Sequence, residues 1–582
     1  MNSNKLKILK VVAGLLSVIN ILLLGVILYM SYYGFDISDE SYYSIGYLYA
    51  KNPFQFGADP FLIVYQRFFG AFNFSLVQIR ILRVVLGVFS SLVLYLGVKN
   101  YFSNASKSKN IILFNMLLVG HLLSFTFGPL ALSYNSMSAI LLSLIVGLWL
   151  LLLKTANNFA RYGLVAILGG LLVLLGFNKI TNLVLLPIMA LITIVWLVKK
   201  LPSIKSIIIE ALAQALCLAM GAMLILGFLG KGFSNIYPTI EMFYSYFIDK
   251  ATNDPNHNFN DVLLVYYYNV KWIVKKMLLP TIIVAATFII QLIVKKKKPS
   301  ADNKLQIIVF VIGLLTLIII IFKNYYYKGG GGSGSIYQII LGYLLIGFFA
   351  LLQKLSGHSK INWLVVLGLI SIPFVGALGT NNGLAANVLF YGAFVFLLIY
   401  YLVDNAKNTL YKSTVFAIVG LLAFSQIITA ITQFPYRQTT SENMEIAIED
   451  IPFLKGIKTN SQFNSLQLQL LDVKNHPAEH IFTLSHQTGL ILLSDKKPYS
   501  FAWFNEKGLA KMQQELSTST ILASNVIFIL TPKFASNDEF QKILMAQNIS
   551  LANDFELLKT LNYFNPIINE QTILNVYTPK VY

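Results

Sequence analysis

The segment Phe35-Asp-Ile-Ser-Asp-Glu-Ser-Tyr-Tyr43 is where this sequence concentrates groups able to do chemistry. Asp36, Asp39 and Glu40 place three carboxylates within five positions, just after an apolar run at 11–30. Carboxylates so placed can take up a proton or host a cation. They also have a plainer use. If Ser38 starts a helix, Asp39 and Glu40 fall in its first turn and complement its dipole.

The polar company of this cluster favours chemistry. Asp59 follows in Phe56-Gly-Ala-Asp-Pro-Phe61, and Gln66 comes soon after. Leu132-Ser-Tyr-Asn-Ser-Met-Ser138 carries Tyr134 and Asn135, and Phe177-Asn-Lys-Ile-Thr-Asn182 carries Lys179. Gly379-Thr-Asn-Asn-Gly383 and Phe434-Pro-Tyr-Arg437 complete the set. All of them fall at one end of apolar runs that are otherwise nearly featureless. A transporter would instead tend to carry charged or broken helices at mid-membrane depth. Each basic or acidic member has a structural alternative. Arg80 and Arg83 can mark the membrane edge of a helix, Lys179 can snorkel, Arg437 can anchor, and Asp59 can turn the chain before Pro60. His257, His476, His480 and His486 have no evident carboxylate partner and read as solvated or structural. The C-terminal part shows no glycine-rich phosphate loop, no metal-spaced Cys/His set and no serine-nucleophile elbow.

The elements that must position these residues are membrane helices. The chain is 56% hydrophobic and only 12% charged, with a mean hydropathy of +0.67. Ordinary domain cores cannot hide that much apolar surface, so lipid must cover part of it. The net charge of +19 lies in short clusters between apolar runs, as topology signals do, which argues against nucleic acid as a partner. A single cysteine, Cys217, excludes an internal disulfide.

A span needs about 20 apolar residues, and about thirteen runs approach that length. They are 11–30, 81–98, 111–127, 137–153, 162–177, 182–198, 206–229, 277–294, 305–322, 336–353, 361–378, 384–403 and 412–433. The first could pass for a signal peptide, but it lacks a small-residue cleavage site and reads as a retained helix. Lysine and arginine gather in alternate loops, which predicts a cytoplasmic N-terminus and an exported C-terminus. The expected organisation is a polytopic α-helical membrane domain over 1–433, with a large first outer loop at 31–80. An exported α/β domain follows over 434–582. Strands are expected at 480–485, 525–530 and 571–578, and helices at 505–516 and 538–548. The outer segment 230–276 is aromatic and interfacial, and Gly329 to Ser335 reads as a flexible outer loop.

An acidic pair after the first span, a large first outer loop, about a dozen spans and an exported C-terminal domain resemble the GT-C glycosyltransferase superfamily. The likeness is to protein O-mannosyltransferases and lipid A aminoarabinose transferases. In residues it rests mainly on Asp39-Glu40. The Ser-Tyr-Asn, Asn-Lys-x-Thr-Asn and Pro-Tyr-Arg elements look like those of bacterial relatives. The resemblance implies an inverting glycosyltransferase of the bacterial cytoplasmic membrane, with its exported domain in the periplasm. Its donor would be a polyprenyl-phosphate-linked sugar and its acceptor a protein, lipid or glycan. By the same resemblance Asp39 is the base, with Glu40 in support and Asp36 in reserve. Arg80, Arg83, Lys179 and Arg437, with Tyr134, Asn135 and Asp59, would hold the lipid phosphate or sugar. The resemblance implies no certain cofactor and leaves a divalent cation open, because some such enzymes are metal-independent while the acids here could host one. The alternatives are a transporter or flippase, and a non-catalytic subunit that binds membrane-complex partners.

Overall fold

The structure is a computed structural model. It describes residues 3–49, 60–99, 106–253, 259–297, 362–378, 384–404, 409–433, 435–438, 444–499, 521–565 and 570–580, with isolated positions within 311–346 and 509–516. Asp59, the Gly329 to Ser335 run, the Gly379 to Gly383 segment and most of the expected helix 505–516 lie outside these residues. So do nearly all of the runs 305–322 and 336–353.

Long apolar stretches without internal turn signals form the helices, since in lipid every backbone polar group must be satisfied within its own segment. They are α1 (Ser3–Met30), α4 (Leu76–Lys99), α5 (Lys107–Leu122), α6 (Tyr134–Leu152), α7 (Asn158–Lys179), α8 (Leu186–Lys200) and α9 (Ile204–Leu229). Short helices α2 (Asp39–Tyr49) and α3 (Pro60–Phe69) occupy the loop after α1. Helices α10 (Ile236–Asn253), α11 (Phe259–Lys297), α12 (Trp363–Ala377), α13 (Gly392–Asp404) and α14 (Thr409–Gln433) follow. Among the described residues, seven helices are long and apolar enough to cross a membrane, and two shorter apolar helices accompany them. The run 277–294 falls within α11. Several membrane passes are thus compatible with the fold. Leu191, Ile194, Leu212 and Leu216 on α8 and α9 are exposed, as a lipid-facing surface requires.

One of the seven, Asn158–Lys200, reverses in its middle. Lys179 has extended backbone (φ −162°, ψ 92°), and a 3-10 turn over Ile180–Leu185 joins α7 to α8. Arg161 pairs with Glu210 at 3.0 Å, and Gly170 lies against Ile225. Helices α7 and α9 are therefore parallel and pack directly on one another, and α8 carries the chain back antiparallel to both. Close packing elsewhere uses small residues. A Cβ on Gly97 of α4 would stand 2.3 Å from the Gly147 carbonyl oxygen of α6.

After α14 the chain forms a five-stranded sheet in the order β4-β3-β5-β7-β6. Its strands are β3 (His480–Thr483), β4 (Lys497–Pro498), β5 (Val526–Leu530), β6 (Phe555–Asn565) and β7 (Glu570–Pro579). β3 pairs parallel with β4 and β5, and β7 pairs antiparallel with β5 and β6. The expected strands correspond to β3, β5 and β7, and the expected helix at 538–548 to Asp538–Met545. β6 is an addition. A bulge between Leu557 and Lys559 leaves both Leu557 and Leu558 exposed, which breaks the alternation that marks a strand in sequence.

A small ribbon, β1 (Ile446–Ala447) with β2 (Lys458–Thr459), reaches back to the end of α1. Lys458 N donates to the Tyr32 carbonyl at 2.7 Å, and Gly34 N donates to the Lys458 carbonyl at 2.9 Å. The loop after α1 thereby joins the ribbon through a single parallel bridge, Tyr33 to Lys458.

Candidate functional site

The loop Phe35 to Ser38 is set by Asp36. Its Oδ1 accepts from Ser38 N (2.9 Å) and Ser38 Oγ (2.6 Å), and its Oδ2 accepts from Glu40 N at 3.2 Å. These are the bonds of an acidic residue closing the turn ahead of a helix start, and they leave Asp39 and Glu40 in the first turn of α2, where the plain reading puts them. The side chain is wholly buried. Burial, then the charge of Asp39, push its carboxyl up to about 7, against the pull of Arg437 and the Ser38 donors.

Glu40 faces inward and meets Arg80, with both side chains fully buried. Arg80 donates Nε and Nη2 to the Glu40 carboxylate at 2.9 and 2.5 Å. Its remaining donors go to the carbonyls of Ser31, Tyr33 and Gly34. All five N–H groups of the guanidinium are committed, which leaves none for a phosphate. Glu40 also accepts from Ala131 N at 3.0 Å. This pair clamps α2 to α4, and removal of either partner would leave a buried uncompensated charge at about 3–5 kcal/mol. Arg83 is a second clamp. It donates to the carbonyls of Pro129 and Ser124 and to Ser124 Oγ, and its guanidinium lies 4.0 Å from the Phe125 ring centre. Among the described residues its Nε has no partner.

Asp39 differs from its neighbours. Its side chain remains 22% exposed and pairs with Arg437 at 2.7 Å. Tyr436 Oη donates to Asp39 Oδ2 at 2.6 Å, and Arg437 Nη1 also reaches Ser38 Oγ at 2.9 Å. Arg437 holds φ at +51°, a left-handed conformation that a long side chain keeps only where contacts fix it. Burial alone would lower the Arg437 pKa, but the Asp39 carboxylate outweighs it and holds the guanidinium firmly charged. The Tyr436 hydroxyl is pushed up by burial and by Asp39, so it stays protonated as the donor.

Beside Asp39 stands an aromatic wall. Tyr43 and Phe61 have ring centres 5.6 Å apart, Phe61 and Tyr134 also 5.6 Å, and Tyr43 and Tyr134 6.4 Å. Behind the wall lies Lys179, buried, with its ammonium 5.8 Å from the Tyr134 ring centre. The ammonium donates to the Gly376 carbonyl at 2.7 Å and to Asn135 Oδ1 at 3.4 Å. Among the described residues no carboxylate pairs with it.

Two groups therefore form from the sequence candidates: Asp36, Asp39 and Arg437 at the mouth, and Lys179, Asn135 and Tyr134 behind it. Glu40, Arg80 and Arg83 underpin the mouth from inside. Sequence reasoning assigns Tyr436 no role and Ser38 only that of a helix start. Their signal was adjacency to Arg437 and Asp39, which has meaning only once residues 39 and 437 meet. An open cleft of about 420 Å³ adjoins Tyr436 and is bordered by Met30, Tyr33, Leu130, Ile431 and Gln438. Among the described residues no group of three or more His, Cys, Asp or Glu side chains is placed to hold a metal ion. No protein-family model matches the chain, and no curated protein matches it.

Proposed function

We propose that the protein is an inverting glycosyltransferase that moves a sugar from a polyprenyl-phosphate carrier to an acceptor. It would act at the outer face of a bacterial cytoplasmic membrane, on a GT-C-like scaffold of about thirteen spans. The observation that carries this reading is the state of Asp39. It is the one carboxylate of the opening cluster that reaches solvent, and it sits beside a cation and an aromatic wall at one end of the helices.

In the proposed step, the acceptor hydroxyl oxygen attacks the anomeric carbon and its proton passes to the Asp39 carboxylate. The bond from that carbon to the phosphate oxygen breaks, and the phosphate leaves with the electron pair. A carboxylate has about four lone-pair sites, so Asp39 can accept from the substrate while it holds Arg437 and Tyr436. Arg437 keeps Nε and Nη2 outside its pairing with Asp39 and Ser38, and these would meet the departing phosphate. Lys179 would add a point charge from a buried position. Aromatic faces such as Tyr43 and Phe61 suit the apolar face of a sugar ring.

The test is Asp39→Asn, assayed in membranes with polyprenyl-phosphate sugars. Loss of the base should lower transfer by about 10²–10⁴-fold while insertion and thermal stability persist. Transfer within about twofold of the parent would remove Asp39 as base. A second reading has one observation in its favour: both Asp39 oxygens already have partners, so the pair could act only to fasten the C-terminal part to the first loop, as in a non-catalytic assembly subunit. On that reading Asp39→Asn lowers the melting temperature, and no membrane fraction shows transfer with any donor.

A further inference from the structure

A second cleft, of about 520 Å³, opens where the first loop meets the C-terminal sheet. It is separate from the mouth at Asp39 but adjacent in the chain on both sides. Phe35 comes from the loop that carries Asp39, and Gln438 follows Arg437 directly. The opposite wall consists of Gln462 and Phe463, on the helix Ser461–Gln469, and of Tyr563 and Phe564 on β6.

The chemistry of this lining is selective. Every described lining residue is uncharged, although the chain as a whole carries +19. Aromatic rings supply the walls, and Phe35 and Phe463 meet edge to face at 5.7 Å. Tyr563 is the informative residue. It is 5% exposed, and among the described residues its hydroxyl has no hydrogen-bond partner. A buried hydroxyl left unpaired is costly, and native structures rarely tolerate one without a ligand or water to meet it. The Gln438 and Gln462 amides stand at the same cleft as further donors and acceptors.

Aromatic faces together with neutral amides and a hydroxyl, and no charge, recognise ligands that have apolar ring faces edged by hydroxyls. An anionic phosphate or carboxylate would find no countercharge among the described lining residues. We propose that this cleft binds a neutral carbohydrate chain, which serves as the acceptor. The binding site stands on the cleft alone, whereas its role as acceptor site rests on the glycosyl-transfer reading above. The loop from Phe35 to Asp39 would then carry the chain end from the cleft toward the carboxylate.

The experiment measures binding of neutral gluco-, manno- and N-acetylgluco-oligosaccharides to the full chain in nanodiscs, by ligand-observed saturation-transfer NMR and titration. The parent protein should bind at least one of these series, and an oligosaccharide bearing carboxylates should bind more weakly. Tyr563→Phe keeps the ring and removes only the hydroxyl, so affinity should fall about 3- to 10-fold. Gln462→Ala, an exposed position that folding does not depend on, should weaken binding by a similar factor. Asp39→Asn should bind as the parent does even where transfer is lost, which separates failure of the cleft from failure of the base. No binding of any neutral series to the parent, or unchanged binding in both Tyr563→Phe and Gln462→Ala, would overturn the proposal.

Discussion

Three acidic residues that look interchangeable in sequence occupy three environments. Asp36 is a buried turn-former, Glu40 is half of a closed ion pair, and Asp39 alone looks outward. Asp36 gives a prediction with a definite sign. Its folded-state pKa is raised to about 7, above that of an unfolded chain, so the folded form holds its proton more tightly. Its contribution to stability is greatest below about pH 4 and falls as pH climbs toward 7, then levels off. The melting temperature of the purified protein should therefore drop between about pH 5 and pH 8. Asp36→Asn should lower the overall value, because its amide turns a donor toward Glu40 N–H, yet it should flatten that drop. An unchanged pH slope in the variant would show that Asp36 does not titrate there. The cluster itself was legible from its spacing. The division of labour was not, because it depends on partners 40 to almost 400 positions away, Arg80 and Arg437. Arg80 in particular reads as a phosphate ligand until its donors are counted.

At the level of elements, apolar length located the seven described stretches that are long enough to cross a membrane, because such a segment needs only composition and extent. Joins between elements were less readable. The break of Asn158–Lys200 into two helices at Lys179 and the turn after it was legible, because the polar residues between the runs 162–177 and 182–198 mark it, whereas the 3-10 form of that join was not. The contact of Thr488 and Gly489 with the first loop was not legible, since what it meets on the loop is main chain. Gly489 N donates to the Ile37 carbonyl at 2.8 Å, and Thr488 Oγ1 donates to that of Ser38 at 2.9 Å. The glycine is required here for close approach. A Cβ would stand 2.6 Å from Ile37 Cα and 2.8 Å from Ser41 Oγ. Backbone cannot yield as a side-chain tip can, so Gly489→Ala should push the helix Gly489–Leu493 off the loop, destabilising by about 1–3 kcal/mol. It should also lower transfer, because Ile37 and Ser38 move with Asp39. Gly163→Ala on α7, where a Cβ would meet nothing within 4 Å, is the control and should melt at or slightly above the parent. Equal melting temperatures for the two variants would refute the close-approach account.

Across the whole molecule, charge and chemistry separate to opposite ends of the helices. The site draws on the C-terminal ends of α1 and α7 and on the N-terminal ends of α4 and α6. The other ends of those helices carry Lys5, Lys7 and Lys10, then Lys99, Lys154 and Arg161. Lys107 and Lys109 start α5, and Lys199, Lys200 and Lys205 flank the turn between α8 and α9. Short loops rich in lysine stay in the cytoplasm, so the site and the ribbon fastened to it by Lys458 are proposed to face outward. This has a direct test in cells, because the chain holds a single cysteine that can be replaced. In a Cys217→Ser background, Lys458→Cys should react with a small charged thiol reagent on intact cells. Lys205→Cys, exposed at the opposite end, should react only after permeabilisation. The reverse pattern would place Asp39 on the cytoplasmic side. A sugar carried outward on a lipid could not then be the donor, and a base at that face would have to serve soluble activated sugars, for which the C-terminal part offers no glycine-rich phosphate loop.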